Sequence, residues 1–374
     1  MTVSETLKRA RDGRRISPTE ALELYRDGEF IHLGAAAHAV RNAKNDPATV
    51  TYLVDRNINY SNVCITDCLF CAFYRPPGDK EAYVLSREEF AQKIGELRAI
   101  GGTRILLQGG HHPDLKLEWY EDLLRWLRAE FPDIEVNAFS PSEVTHISEV
   151  EKLPLEEVIR RLAAAGLSGL PGGGAEILDD AVREEISPKK LKTAGWLEAM
   201  RLAHRHGLAT TASMVIGFGE SYEHRVNHLL RLRDLQDESL AKHGNGFTAF
   251  ISWTAQLDTV PMSGLARRKG IRPAGAQEYL RNVAIARLFL DNFRHHGASW
   301  PTQGVAIAQT ALNAGCDDYG STRREENVVS QAGASTMSSI LVDEMVLQIR
   351  EAGFVPAQRD TRYKILKRNE EIAV

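Results

Sequence analysis

Short apolar runs alternate with helical patterns along most of the chain. INYSNVC (58–64), TRILLQG (103–109), IEVNAF (134–139), LSGLPG (167–172), ATTASMVIG (209–217), FTAFISW (247–253) and GASWPT (297–302) read as strands. They are short and bounded by turn residues. A weaker eighth lies near DDYG (317–320). Between them, SREEFAQKIGELRAIG opens with a capping box from Ser86 to Glu89 and stops at glycine. LEWYEDLLRWLRAEF, LEEVIRRLAAAG, SPKKLKTAGWLEAMRLAHRHG, SYEHRVNHLLRLRDL and AQEYLRNVAIARLFLDNF continue the helical series. The first 45 residues read as helices, with Ser17, Pro18 and Glu20 as a start signal.

Such alternation predicts an α/β fold of crossover units around a parallel sheet. Six to eight repeats over about 270 residues predict a TIM-like (β/α) barrel, close to eight-stranded, rather than an open sheet. We expect a helical extension over 1–49 and the barrel, with C-terminal helices, over 50–374. Glycines and polar residues gather at the strand ends, in NVC, QGGHHP, AFSP, PGGGAE, IGFGE and SWPTQG. In a barrel these ends line one mouth, where chemistry usually sits.

Composition narrows the classes. The net charge of −4 over 374 residues supplies no basic field for nucleic acid or anionic lipid. No apolar run approaches the ~18 residues a membrane span needs. The N-terminal MTVSETLKRARDGRR lacks the apolar stretch of a signal peptide, so a cytoplasmic location is expected. Four cysteines are too few for a disulfide framework.

Three of the four fall in CITDCLFC, as Cys64, Cys68 and Cys71. Soft thiolates suit zinc, copper(I) or iron–sulfur clusters. A closed zinc site needs four ligands, and the remaining Cys316 is far away in sequence. Three cysteines can instead hold three irons of a four-iron cluster and leave the fourth iron open to a small molecule.

This C-x3-C-x2-C spacing after a first barrel strand resembles the radical S-adenosylmethionine (SAM) superfamily. The resemblance implies a 4Fe-4S cluster on Cys64, Cys68 and Cys71, with SAM on the open iron. One electron from the cluster would break a carbon–sulfur bond, and the adenosyl radical would take a hydrogen atom from substrate. Phe70 resembles the aromatic that covers the SAM adenine, and also suits a core position. Gln108, Gly109 and Gly110 resemble the GGE-type motif that meets the methionine amino group. Histidine follows here instead of glutamate, so only the backbone role carries over. Glu176, after PGGGA, matches a ribose-binding carboxylate or a helix-start acid. Gly217, in GFGE, resembles an adenine- and ribose-contacting element or a tight turn.

Beyond the superfamily core, NINYSNVCITDCLFCAFYRPPGDKEAYVLS, QGGHHPDL, FSPSEV, GLPGGGAEIL, SPKK, RLRDLQDE, FISW, ARLFLDN, SWPTQG, CDDYGSTRREENVV and QRDTRY recur in order in one family. The chain resembles the cyclic dehypoxanthinyl futalosine synthases of the futalosine route to menaquinone, over roughly residues 50–365. Aminofutalosine synthases and deazaflavin synthase subunits are the nearest alternatives. Gln303 is kept, and Pro301 stands where valine is expected. The resemblance implies C4′ hydrogen abstraction from a nucleoside, attack on a benzoate ring, and a one-electron donor such as flavodoxin or ferredoxin. Arg75 and Arg359 are candidates for the substrate carboxylate. His111, Tyr74 and Asp318 are among the candidates for the base. Trp253 and Trp300 suit core packing or substrate contact. His224 and His228 have zinc-compatible spacing but lack the Glu-x-x pattern. Glu325, Glu326 and Asn327 read as a solvated helix start. The rival classes are an iron–sulfur electron carrier, which normally has four ligands per cluster and a shorter chain, and a structural zinc protein.

Overall fold

The computed structural model describes residues 2–258, 260–322, 325, 327, 331–333 and 339–369. Its strands are β1 (Thr49–Leu53), β2 (Asp55–Ile58), β3 (Arg104–Leu107), β4 (Glu135–Ala138), β5 (Gly169–Leu170), β6 (Ala209–Ile216), β7 (Phe247–Thr254), β8 (His295–Gly297), β9 (Asp318–Ser321), β10 (Val355–Arg359) and β11 (Ile365–Arg368). They form one sheet in the order β11-β10-β1-β9-β8-β7-β6-β5-β4-β3-β2. β1 and β2 belong to one extended run, interrupted at Val54. β1 pairs with β9 and β2 with β3, in parallel, so the order closes on itself. Eight parallel runs thus make the barrel, with β10 and β11 as additions. β10 lies beside β1 in parallel, and β11 returns antiparallel.

The first strand begins earlier than the apolar pattern suggests, and residues 59–64 are loop. Its charged half, Asp55-Arg56, is buried because each charge finds a partner: Asp55 on Arg104, Arg56 on Glu96 and Glu325. Glu325 is therefore an ion-pair partner rather than a solvated acid; Glu326 lies outside the described residues. The strand read into GASWPT ends at Gly297, and Pro301 lies in the first turn of the short helix Trp300–Gln303. A fixed φ and a missing N–H suit that position. QRDTRY carries the end of β10 and the turn to β11.

The N-terminal helices Val3–Arg11, Pro18–Asp27 and Phe30–Lys44 pack outside the barrel. Ser17 caps the second in a complete capping box. The Tyr25 hydroxyl donates to Asn282 Oδ1 at 2.6 Å, tying this layer to the helix Ala276–Phe289. Among the described residues, no helix is long and apolar enough to cross a membrane.

Candidate active site

The long loop after β2 carries the three cysteines. Reciprocal bonds pin it: Cys64 N–H to the Arg75 carbonyl at 3.0 Å, and Arg75 N–H to the Asn62 carbonyl at 2.7 Å. Leu69 N–H reaches the Ile186 carbonyl, anchoring the loop to the far side of the mouth. Cys64 Sγ accepts from the backbone N–H of Thr66 at 3.4 Å and of His111 at 3.3 Å. Gly110 lies against this turn so closely that a Cβ there would sit 2.5 Å from the Val63 carbonyl oxygen and 2.6 Å from Cys64 Cβ. This glycine makes room for the cysteine loop, a tighter demand than ligand approach alone.

Burial pushes the Cys68 thiol up to about 12 and raises that of Cys71; the Lys190 ammonium acts on both in the opposite sense. Bound metal reverses such a shift, because a coordinated thiol is deprotonated outright. Among the described residues, no group of three or more Cys, His, Asp or Glu side chains is set to hold one metal ion. A cluster instead takes its thiolates at separate irons. Three unbridged thiols on one loop, with peptide N–H groups aimed at Cys64 Sγ, fit that demand.

Below the loop, a cavity of about 320 Å³ occupies the barrel. Phe70 and Phe218 stand at its mouth, ring centroids 5.4 Å apart. Glu176 lines it in a left-handed conformation, φ 37°, uncommon outside glycine. Its Oε1 accepts from Lys190 Nζ at 3.0 Å, while Oε2 is buried without a hydrogen-bond partner. Lys190 also lies 5.2 Å from the Phe70 ring centroid. Arg183 donates to the carbonyls of Gly174, Ala175 and Leu191, stapling the PGGGAE turn to the SPKK turn. Such a site offers an apolar face, a carboxylate with a lone pair to fill and a fixed cation. That suits a ligand with a heteroaromatic ring, hydroxyls and an amino-acid end. The cluster and SAM therefore both fit.

Of the sequence candidates, Phe70, Gln108 and Glu176 line the cavity together. Gly109 donates its N–H to Glu143 Oε1 at 3.0 Å, and a Cβ there would meet the Tyr60 ring at 2.3 Å. Gly217, φ 103°, donates its N–H to the Glu220 carboxylate; its neighbour Phe218, rather than Gly217, lines the cavity. Arg75 is not a cavity residue. It pairs with Glu81 at 2.8 Å and donates to the carbonyls of Ala72, Phe73 and Tyr74, so it braces the cysteine loop. Arg359 does line the cavity, but its fork holds Asp318 at 2.6 and 2.9 Å and its Nη1 holds the Asp360 carbonyl. Asp318 also accepts from Thr51 Oγ1 and Gly320 N–H, which fills its lone pairs. It is an ion-pair partner rather than a base awaiting a proton.

His111 and Tyr74 are outside the cavity lining. His111 stacks on His146, and burial holds it neutral, down to about 3. His224 caps its helix through Ser221, whereas His228 is buried and accepts from Leu178 N–H, so the two share no site. Trp253 and Trp300 both line the cavity, and Gln303 bonds Thr254 Oγ1 at 2.7 Å. Sequence reasoning missed Lys190, Arg183 and Glu143. The SPKK and FSPSEV motifs held two of them, but surface-type residues give no local sign of burial.

Residues 58–232 match the radical SAM superfamily, and residues 244–372 match the CofH/MqnC C-terminal region. The chain is 45% identical to the cyclic dehypoxanthine futalosine synthase of Halalkalibacterium halodurans, over 99% of this chain and 97% of that protein. It is 44% identical to the enzyme of the same name from Streptomyces coelicolor, over 96% of this chain and 88% of that one. The aminodeoxyfutalosine synthase of Thermus thermophilus is 37% identical over 94% of this chain and 93% of that one. The fold is that of methylornithine synthase, PylB, with a TM-score of 0.72 at 17% identity over 94% of this chain and 97% of that one. By cysteine spacing, barrel and near-full-length identity, the chain belongs to the radical SAM superfamily and, within it, to the family of the cyclic dehypoxanthine futalosine synthases.

Proposed function

We propose that this enzyme cyclises dehypoxanthine futalosine to cyclic dehypoxanthine futalosine, in menaquinone biosynthesis. The observation that carries the reading is the 45% identity to a cyclic dehypoxanthine futalosine synthase along nearly the whole of both chains, together with the three-cysteine loop above the cavity. The 4Fe-4S cluster and SAM supply, when bound, an electron and a carbon-centred hydrogen-atom acceptor.

The chain's own residues bind, orient and exclude water. Cys64, Cys68 and Cys71 hold the cluster. Phe70 and Phe218 cover the adenine, and the open lone pair of Glu176 takes a ribose hydroxyl. Lys190 holds the Glu176 carboxylate in place through the bond from Nζ to Oε1. Gln108 and the turn at Gly109 and Gly110 bracket the methionine end. The nucleoside occupies the barrel, against Trp253 and Trp300. Loss of the ribose C4′ hydrogen lets that carbon bond to the substrate's benzoate ring, and loss of one proton to solvent and of one electron, for which the oxidised cluster would be the acceptor, restores aromaticity. A flavodoxin or ferredoxin is the proposed electron donor, in a cytoplasm that keeps the thiols reduced.

The test is anaerobic incubation of the reconstituted enzyme with dehypoxanthine futalosine, SAM and a one-electron reductant. The expected product is lighter than the substrate by two hydrogens, with C4′ deuterium recovered in 5′-deoxyadenosine. Turnover of an enolpyruvate-type benzoate instead assigns the aminodeoxyfutalosine synthase reaction.

A further inference from the structure

Away from the cysteine loop, the cavity ends on a polar floor. Arg104, Asn137, Asp318, Arg359, Thr361 and Tyr363 line it. Two ion pairs meet there, Arg359 with Asp318 and Arg104 with Asp55. The two arginines are not equally engaged. Arg359 is committed to Asp318 through two nitrogens and to the Asp360 carbonyl through the third. Arg104 donates only through Nη2, to Asp55 Oδ2 at 2.5 Å, and makes no other hydrogen bond among the described residues. Its Nε is buried and unpaired. The side chain is 11% exposed. A buried donor left without a partner is destabilising, and a ligand that accepts from it removes that penalty.

Position gives the donors a purpose. Arg104, Leu106 and Gln108 alternate along β3 on the cavity side. Arg104 therefore lies about 13 Å below Gln108 at ~3.3 Å per residue, less the reach of its own long side chain. A planar guanidinium matches a carboxylate better than any other side chain does. Asp55 occupies one N–H and leaves Nε and Nη1 to donate.

We propose that Arg104 is the anchor for the carboxylate on the substrate's aromatic ring, holding that ring at the floor while the ribose faces Gln108 and Phe70. The assignment deepens the proposed function and rests on it for the identity of the nucleoside. It replaces Arg75 and Arg359 in that role.

Two probes test it on the cluster-loaded, SAM-bound enzyme by calorimetry: dehypoxanthine futalosine and the small aryl carboxylate 3-acetylbenzoate, each beside its methyl ester. For both acids we expect affinity to fall at least 10-fold in Arg104→Lys and roughly 30-fold in Arg104→Met combined with Asp55→Asn, which keeps the floor neutral. The esters should bind the natural enzyme as weakly as the acids bind the variants. SAM affinity, a check on folding, should stay within about twofold. If a variant loses SAM binding as well, the acid–ester comparison on the natural enzyme decides. Equal binding of acid and ester, or an unchanged acid affinity in Arg104→Lys, overturns the anchor. If 3-acetylbenzoate discriminates but the nucleoside does not bind, the anchor stands and the proposed substrate fails. If the nucleoside is cyclised without discrimination, the reverse holds.

Discussion

Lys190 Nζ lies 3.0 Å from Glu176 Oε1 inside the barrel mouth, and the other oxygen of that carboxylate is buried, 3.6 Å from Arg183 Nη1 and without a hydrogen-bond partner. The proposed function gives that oxygen a ribose hydroxyl as its hydrogen-bond partner. Glu176→Gln keeps the volume and removes the charge. SAM affinity of the cluster-loaded protein is expected to fall about 10- to 100-fold, the loss of a charge-assisted bond. Lys190→Met should weaken SAM similarly. An unchanged dissociation constant in both variants would remove this carboxylate from the cofactor site.

Cys68 is buried in the loop that carries Cys64 and Cys71. Cys68→Ala is expected to abolish four-iron loading while leaving the circular dichroism spectrum unchanged, since the barrel core does not include this loop's thiols. Iron and sulfide analysis after anaerobic reconstitution checks it; full loading would contradict the ligand assignment.

Gly110 is the spacer between the QGG turn and the cysteine loop. Its Ala variant places a methyl group at 2.5–2.6 Å from Val63 and Cys64 atoms, so the loop must shift. We expect iron content to fall by more than half with a loss of about 1–3 kcal/mol in stability, as for other overpacked sites. Gly95, whose added Cβ meets nothing within 4 Å, is the control.

Arg359 holds the barrel floor together. Arg359→Met strands the buried Asp318 carboxylate and should cost about 3–5 kcal/mol, read as a fall in urea midpoint. Arg359→Met with Asp318→Asn should recover most of it. A full-strength midpoint in the single variant would contradict the buried-pair reading.

Acid should unfold the protein through its buried histidines. Burial lowers His204 and His228 from the ordinary 6.5 to about 3. The folded state therefore holds each ring neutral while the unfolded chain takes up the proton. The contribution to stability is complete above pH 6.5 and is lost as pH falls towards 3, by about 1.4 kcal/mol per pH unit for each ring. His228→Asn can still accept the bond from Leu178 N–H. Its stability difference between pH 7 and pH 5 should be smaller by about 2 kcal/mol, measured by urea titration at both pH values.

By itself the sequence determined what is local. The alternation of apolar runs and capped helices specified a β/α barrel, because burial periodicity and capping depend on residues a few positions apart. The spacing of Cys64, Cys68 and Cys71 placed the three thiols on one loop for the same reason. Tertiary structure alone decided which charges meet. Asp55 and Arg56 were hidden as a strand because their partners come from other elements. Arg359 lost its free fork to Asp318, 41 residues away, while Arg104, in an unremarkable strand start, kept unpaired donors. A buried charge is settled by whichever partner packing delivers, and no local pattern encodes that partner.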